Sequence, residues 1–166
     1  MMTVVWKTPQ TLAASKVVNV RSVTFISIVI LVTLSYIVNQ AQAMQRILVV
    51  DDEHYVRDVI ARTLKMHGLA ALPACSTQEA LAALAGQQFD AILIDIVLGP
   101  ENGWETLRQI RQSNNVPIVM MSGVCVDDDI RLDAEKLGAQ DVLPKPFTAD
   151  QLMNCIARLL ESKPDR

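Results

Sequence analysis

Twice in this chain a short apolar run stops abruptly on a carboxylate. Arg46-Ile47-Leu48-Val49-Val50 runs into Asp51-Asp52-Glu53, and Ala91-Ile92-Leu93-Ile94 ends at Asp95. Apolar runs this short, bounded by turn chemistry, read as strands buried on both faces. A carboxylate at the end of such a strand stands where buried backbone surfaces. For Asp95 alone, the plainer explanation is a cap on the turn that follows, which runs through Leu98-Gly99-Pro100-Glu101-Asn102-Gly103. The other segments decide between a cap and a site.

Around these runs, side chains recur at helical spacing. Val56, Val59, Ile60, Thr63 and Leu64 form a core-facing stripe, and Gly68 is placed to end that helix in a left-handed cap. Leu69 to Ala74 is a weaker strand whose Pro73 suits a sheet edge. Ser76-Thr77-Gln78-Glu79 is a capping-box start for a helix through Leu84, closed by Gly86. Gly103 opens a helix expected to bury Trp104, Leu107 and Ile110, and Val116 to Met121 forms another buried strand that ends on Ser122-Gly123. Ile130, Ala134 and Leu137 mark a helix ending at Gly138. The Asp127-Asp128-Asp129 triplet at its start reads as complement to the helix dipole rather than as a metal site. Asp141-Val142-Leu143 is the last strand and leads into Pro144-Lys145-Pro146-Phe147. Thr148 and Gln151 then cap a final helix with its stripe at Leu152, Cys155, Ile156, Leu159 and Leu160.

Five strands alternating with five helices predict an α/β fold, a parallel sheet with helices on both faces. Ligands of such sheets sit outside the carboxyl ends of the strands, and for the order 2-1-3-4-5 they sit between strands one and three. Asp51, Asp52 and Asp95 end those two strands, while Ser122 and Lys145 follow strands four and five on the same edge. Three crowded carboxylates repel one another unless a cation lies among them. Mg²⁺ suits that role, because it takes oxygen ligands from one or two carboxylates plus waters and a phosphoryl oxygen. Lys145 and the Ser122 hydroxyl would then neutralise and orient a transferring phosphoryl group, and a central carboxylate can act as its nucleophile.

The acidic pair, the strand-end Asp, Ser-Gly and Lys-Pro-Phe, in that order, resemble a two-component response-regulator receiver domain of the chemotaxis-receiver kind, from Met44 to about Leu160. The resemblance implies a flavodoxin-like, doubly wound sheet in the order 2-1-3-4-5. It makes Asp95 the phosphoacceptor, places Asp52 and Asp51 on Mg²⁺ directly and through water beside Asp95, and adds the Val97 carbonyl as a backbone ligand. Ser122 becomes the switch hydroxyl, Lys145 the phosphoryl contact, and Lys145-Pro146 a cis peptide. The implied function is a phosphorelay signal. A phosphohistidine on a sensor histidine kinase or a histidine phosphotransfer protein donates to Asp95, and the domain then changes its affinity for a downstream protein target. It is expected to be no enzyme beyond catalysing its own phosphoryl transfer and dephosphorylation.

Three departures from the family pattern stand out. Gly99 occupies the place of the usual proline, with Pro100 one residue later, although Gly103 stays in register. Val142 replaces the aromatic that swings inward when the hydroxyl engages phosphate. Val97 and Val124, two residues beyond Asp95 and Ser122, are apolar and cannot position an attacking water.

Other readings fare less well. An aspartyl-nucleophile phosphatase needs a second carboxylate two residues past the nucleophile, where Val97 stands. A flavin or nucleotide module wants a glycine- or hydroxyl-rich loop after the first strand, where this chain has Asp51-Asp52-Glu53. A receiver that binds proteins without phosphorylation is the serious alternative, kept open by Val142. His54 and His67 fall at the two ends of the first helix and read as partly exposed residues, not phosphohistidines.

Composition narrows partners and compartment. The 166 residues, 51% hydrophobic, suit one packed domain. Three of the 15 basic residues, Lys7, Lys16 and Arg21, precede Met44, leaving 12 against 18 acidic ones. That balance of -6 argues against a nucleic-acid surface. Cys75, Cys125 and Cys155 suggest neither a disulfide framework nor a zinc site and are expected as reduced, mostly buried thiols. Residues 1–43 form a hydrophobic N-terminal extension to a receiver domain over 44–166. Val23 to Val38 is apolar, follows basic residues and precedes Ala41-Gln42-Ala43, in the manner of a signal peptide. A membrane anchor and an upstream extension from a misplaced start at Met44 are the other readings. The body is expected in the cytoplasm, membrane-associated only if this segment is genuine, and as a stand-alone receiver, since little chain follows the last helix.

Overall fold

The computed structural model describes residues 44–161 together with Ile30, Leu31 and Thr33. The chain divides into two units, Met1–Ala41 and Gln42–Arg166. The anchor, export and misplaced-start readings of residues 1–43 concern positions that, apart from those three helical residues, lie outside the described ones. Among the described residues no helix is long and apolar enough to cross a membrane.

In chain order the second unit contains β1 (Arg46–Val50), α1 (His54–Met66), β2 (Ala70–Ala74), α2 (Thr77–Gly86), β3 (Ala91–Asp95), β4 (Val97–Leu98), β5 (Glu101–Asn102), α3 (Gly103–Arg111), β6 (Ile118–Ser122), α4 (Asp128–Lys136), β7 (Asp141–Pro144) and α5 (Ala149–Glu161). The large sheet is parallel throughout, in the order β2-β1-β3-β6-β7. Counted along the large sheet alone, this is the expected 2-1-3-4-5. The strands alternate their side chains between two apolar layers, as the pleat requires. Leu48, Val50, Ile92, Ile94, Ile118 and Met120 pack with Ala80 of α2, Leu107 and Ile110 of α3 and Ala134 of α4. Ile47, Val49, Leu93, Val119 and Met121 pack with Ile60 and Leu64 of α1 and with Leu152, Ile156 and Leu159 of α5. Both faces are therefore covered, which is why the strands read as continuous apolar runs.

Punctuation residues behave as the sequence suggests. Gly68 and Gly138 take positive φ, +77° and +91°, just past α1 and α4. The Ser76 hydroxyl accepts from the Glu79 amide, and Thr148 and Gln151 cap each other reciprocally at α5. Asp127 caps α4 by accepting from the Ile130 amide. Pro73 lies in β2, an edge strand.

Some expectations need correction. Val59 is 44% exposed because the stripe of α1 narrows to Ile60 and Leu64, and Trp104 is only half-buried at the first turn of α3. Cys75 and Cys125 are exposed, since each sits in a loop just beyond a strand; only Cys155, on the inner face of α5, is buried.

The segment after Asp95 is a hairpin rather than a plain turn. β4 and β5 pair antiparallel, Val97 with Asn102 and Leu98 with Glu101. Gly99 closes the hairpin at φ +52°, in the left-handed region that glycine tolerates. Gly103, at its base, is required for a different reason: a Cβ there would lie 1.9 Å from the Asp95 carbonyl oxygen. Gly103→Ala should therefore displace the backbone of the acceptor strand and cost about 1–3 kcal/mol, as overpacked sites do. In Gly86→Ala the added methyl meets nothing within 4 Å. Urea unfolding should separate the two variants, with a lower midpoint for the first and an unchanged or higher one for the second.

Candidate functional site

Register brings the site together. Val50 pairs with Ile94 across β1 and β3, so the next residues, Asp51 and Asp95, emerge side by side at the carboxyl edge. Ser122 pairs with Pro144 across β6 and β7, which sets Lys145 immediately beyond the same edge. Asp51 and Ser122 are completely buried, Asp95 is 4% exposed, and Asp52 is exposed. The Lys145 Nζ donates to Asp51 Oδ2 at 2.7 Å and to Asp95 Oδ2 at 2.6 Å. One ammonium thus bridges two carboxylates from strands that neighbour each other only in the fold.

The remaining carboxylate oxygens are held by backbone. Asp51 Oδ1 accepts from the Glu53 amide at 2.9 Å, and Asp95 Oδ1 accepts from the Val97 amide at 3.2 Å. Burial pushes the Asp51 carboxyl above the usual carboxylate range, although the hydrogen bond and charge of Lys145 oppose the rise. Burial alone would lower the Lys145 pKa, but its hydrogen bonds and charge pairing with Asp51 and Asp95 outweigh that and hold it above an ordinary lysine. Lys145-Pro146 is a cis peptide, as expected.

Asp51, Asp52 and Asp95 each offer an oxygen, and these oxygens lie within 4.8 Å of one another. Three carboxylates and one ammonium leave two negative charges, which a divalent cation would cancel. A hard, all-oxygen donor set of this kind fits Mg²⁺. Among the described residues it is the one cluster of acidic, histidine or cysteine side chains that could hold a metal, so the Asp127-Asp128-Asp129 triplet stays with its helix-capping role.

The expected site residues do not all converge equally. Asp51, Asp52, Asp95 and Lys145 meet in one cleft. Val97 stands beside them, 57% exposed. The Ser122 hydroxyl turns into its own loop, donating to the Val124 carbonyl at 3.0 Å and accepting from the Val124 amide at 3.3 Å. Val142 is buried one strand away, among the side chains packed against α4. His54 and His67 are exposed at the ends of α1. Sequence reasoning missed Arg57, whose guanidinium donates to the Asp51 carbonyl from α1 and pins the end of β1. The signal available was faint: an arginine one helical turn past Glu53, in line with the apolar Ile60 and Leu64.

A doubly wound parallel sheet that gathers three carboxylates and a lysine at its switch point belongs to the class of α/β domains whose ligand sites lie at the carboxyl ends of the strands. Residues 47–157 match the response regulator receiver domain family, and the chain belongs to it. Members of that family are the phosphoacceptors of two-component systems. The transcriptional regulatory protein CpxR of Klebsiella pneumoniae is 35% identical over 117 residues, 70% of this chain and 50% of that protein. This chain spans about half the length of the curated relatives it matches. Among solved structures, the receiver domain of NtrX from Brucella abortus is 35% identical with a TM-score of 0.65, covering 70% of this chain and 99% of the other. The chemotaxis response regulator CheY4 of Vibrio cholerae is 27% identical with a TM-score of 0.67, covering 71% of this chain and all of the other, 100%.

Proposed function

We propose that this protein receives a phosphoryl group on Asp95 from a phosphohistidine of a partner kinase or phosphotransfer protein, and signals by altered affinity for a protein target. The observation that carries the reading is the Lys145 ammonium bridging Asp51 and Asp95 inside a three-carboxylate cluster. An Asp95 carboxylate oxygen attacks phosphorus, the P–N bond to imidazole breaks, and its electron pair leaves with the ring. Lys145 is within reach to follow the phosphoryl oxygens as Asp95 is consumed, and Asp51 remains as its counter-charge. Asp51, Asp52 and Asp95 would hold Mg²⁺, with the Val97 carbonyl as the further ligand that the family resemblance implies, and the ion would supply charge neutralisation for the phosphoryl oxygens. Beyond this self-modification the domain has no substrate of its own. A kinase donor that draws on ATP fits a cytoplasmic receiver, membrane-associated if residues 1–43 are retained.

The surroundings of the cleft suit a protein donor. Tyr55, Val97 and Val124 are 71%, 57% and 54% exposed around the acidic centre. A groove of about 440 Å³ beside Lys145 is lined by Val56, Ile60, Pro146 and Phe147. Apolar surface next to a buried charge cluster fits a partner that docks its own apolar face and presents one reactive imidazole. The body's charge of -6 disfavours nucleic acid as the target.

The test of this reading is intact-protein mass spectrometry after acetyl phosphate and Mg²⁺. One phosphoryl adduct that fails to form when chelator replaces Mg²⁺ supports it. No adduct would move the assignment to a protein-binding receiver that works without phosphate, the reading that Val142 and the self-contained Ser122 turn favour.

Two further outcomes follow from the same geometry. Neither Val97 nor Val124 carries a side-chain group that can orient water, so the aspartyl phosphate should persist for minutes or longer in Mg²⁺ buffer. A lifetime of seconds would contradict this. Val97→Glu should shorten the lifetime by up to about a hundredfold, the low end of what a positioned base contributes. The raised Asp51 pKa sets a pH dependence. Between the ordinary carboxylate range and its raised value, the folded metal-free site holds a proton that the unfolded chain lacks. Stability contributed by this group therefore falls as pH rises through that window. Mg²⁺ competes with that proton, so its affinity should climb through the same window and flatten above it. Calorimetric Mg²⁺ titrations at a series of acidic pH values measure this directly.

A further inference from the structure

The hairpin that follows Asp95 is tied to a distant helix by a carboxylate that the phosphoacceptor chemistry does not use. Glu101, in β5, reaches across to the first residue of α2. Its Oε2 accepts from the Thr77 backbone amide at 2.7 Å and also from the Thr77 hydroxyl. That hydroxyl is in turn 2.7 Å from the hydroxyl of Thr106, a completely buried residue of α3. Thr106 donates back to the Asn102 carbonyl at 3.3 Å, and Asn102 caps α3 through the Trp104 amide at 2.9 Å. The arm of the hairpin opposite Asp95 is thereby fastened to α2 and α3 together.

The other arm and the tip touch the site itself. Val97 donates its amide to Asp95 Oδ1. At the tip, a Cβ on Gly99 would lie 3.1 Å from Asp52 Oδ2, so the hairpin rests against the exposed carboxylate of the cluster. Asp52 and Asp95 thus both have the hairpin as a wall. Leu98 anchors it from below as a buried core residue. Above the core, exposed Glu101 carries the hairpin's side-chain tie to α2, and the amide it occupies at the start of that helix is one that no carbonyl of the helix can satisfy.

We propose that Glu101 is a positioning residue for the phosphoacceptor site: by latching the β4–β5 hairpin to Thr77 of α2, it holds Val97 and Gly99 against Asp95 and Asp52 in the geometry that receives the cation. This rests on the functional reading above only in naming the cation as Mg²⁺. The latch has no sequence signal, because its partners are 24 residues apart and belong to different elements.

The test compares full-length wild type with Glu101→Ala, Glu101→Gln and Thr77→Pro. Glutamine keeps an oxygen acceptor in place. Proline removes both Thr77 donors yet suits the first helical position, after the extended backbone of Ser76. Two readouts are taken: calorimetric Mg²⁺ affinity, and amide hydrogen exchange without metal. Glu101→Ala and Thr77→Pro should each weaken Mg²⁺ binding about three- to tenfold, the lower part of the range for groups behind a metal site. Exchange should quicken about tenfold in residues 96–103 while β1, β6 and β7 keep their protection. Glu101→Gln should stay near wild type in both. Unchanged Mg²⁺ affinity in both disruptive variants would overturn the proposal, as would loss of protection spread evenly over the sheet or a glutamine variant no better than alanine. Failure of wild type to bind Mg²⁺ at all would instead contradict the functional reading, and the metal-free exchange would still decide the latch.

Discussion

Asp95→Asn should abolish phosphate incorporation from acetyl phosphate while the protein remains folded. The substitution replaces one carboxylate oxygen by an amide nitrogen and leaves the other to accept the Val97 amide, so the hairpin contact survives. It removes one of two carboxylates that share the Lys145 ammonium, and Asp51 remains to pair with it. Loss of a like charge beside buried Asp51 also relieves repulsion, since the Asp95 charge is one of the causes raising the Asp51 pKa. The variant should therefore unfold no earlier than wild type in urea. What it lacks is chemical: an amide is not a competent nucleophile toward phosphorus. Intact mass after acetyl phosphate and Mg²⁺ checks the loss. A residual adduct at wild-type level would place the nucleophile elsewhere in the cluster.

Lys145→Ala is the second large effect, and it acts on rate rather than on the nucleophile. Its ammonium is bonded to both buried carboxylates, Asp51 and the proposed acceptor Asp95. Removing one pre-positioned donor to a developing anionic centre costs roughly 10²–10³ in rate at other sites, and the same range is expected here for phosphorylation by acetyl phosphate. The variant also leaves Asp51 and Asp95 facing each other without a counter-charge, so the Asp51 carboxyl should titrate at still higher pH. Lys145→Arg should not rescue fully, because a planar guanidinium cannot place one nitrogen between two carboxylates as a point charge does. Time courses of adduct formation, read beside urea midpoints, separate slower chemistry from lost stability. A Lys145→Ala protein phosphorylated at the wild-type rate would remove the lysine from the mechanism.

The parts of this molecule that were legible in its sequence are those written in local patterns. Buried strands appear as unbroken apolar runs because both faces of the sheet are covered, and Ile47–Val50 and Ala91–Ile94 are fully buried as their composition requires. Gly68, Gly138, Ser76 and Thr148 mark helix ends through interactions only one to four residues long. The cleft was legible for a different reason: four strands end at one edge, so residues just past those ends must meet whatever the loop details. What the sequence did not disclose depends on contacts between loops. The β4–β5 hairpin has strands of two residues each, too short for any alternation to register. The outward-facing thiols of Cys75 and Cys125 and the half-exposed Trp104 reflect positions just beyond or at the start of an element, where burial is set by neighbours rather than by residue type. Ser122 shows the same limit. Its place at the strand end followed from the pattern, but the orientation of its hydroxyl toward Val124 did not.

One covalent bond, from an Asp95 oxygen to phosphorus, underlies the proposed function. An aspartyl phosphate is a mixed anhydride, which borohydride reduces to an alcohol, converting the acceptor aspartate to homoserine. Protein phosphorylated with acetyl phosphate and Mg²⁺, reduced, digested and sequenced by mass spectrometry should carry homoserine at position 95 alone. Homoserine at position 51 or 52, or a phosphorylated protein with none at 95, would contradict it.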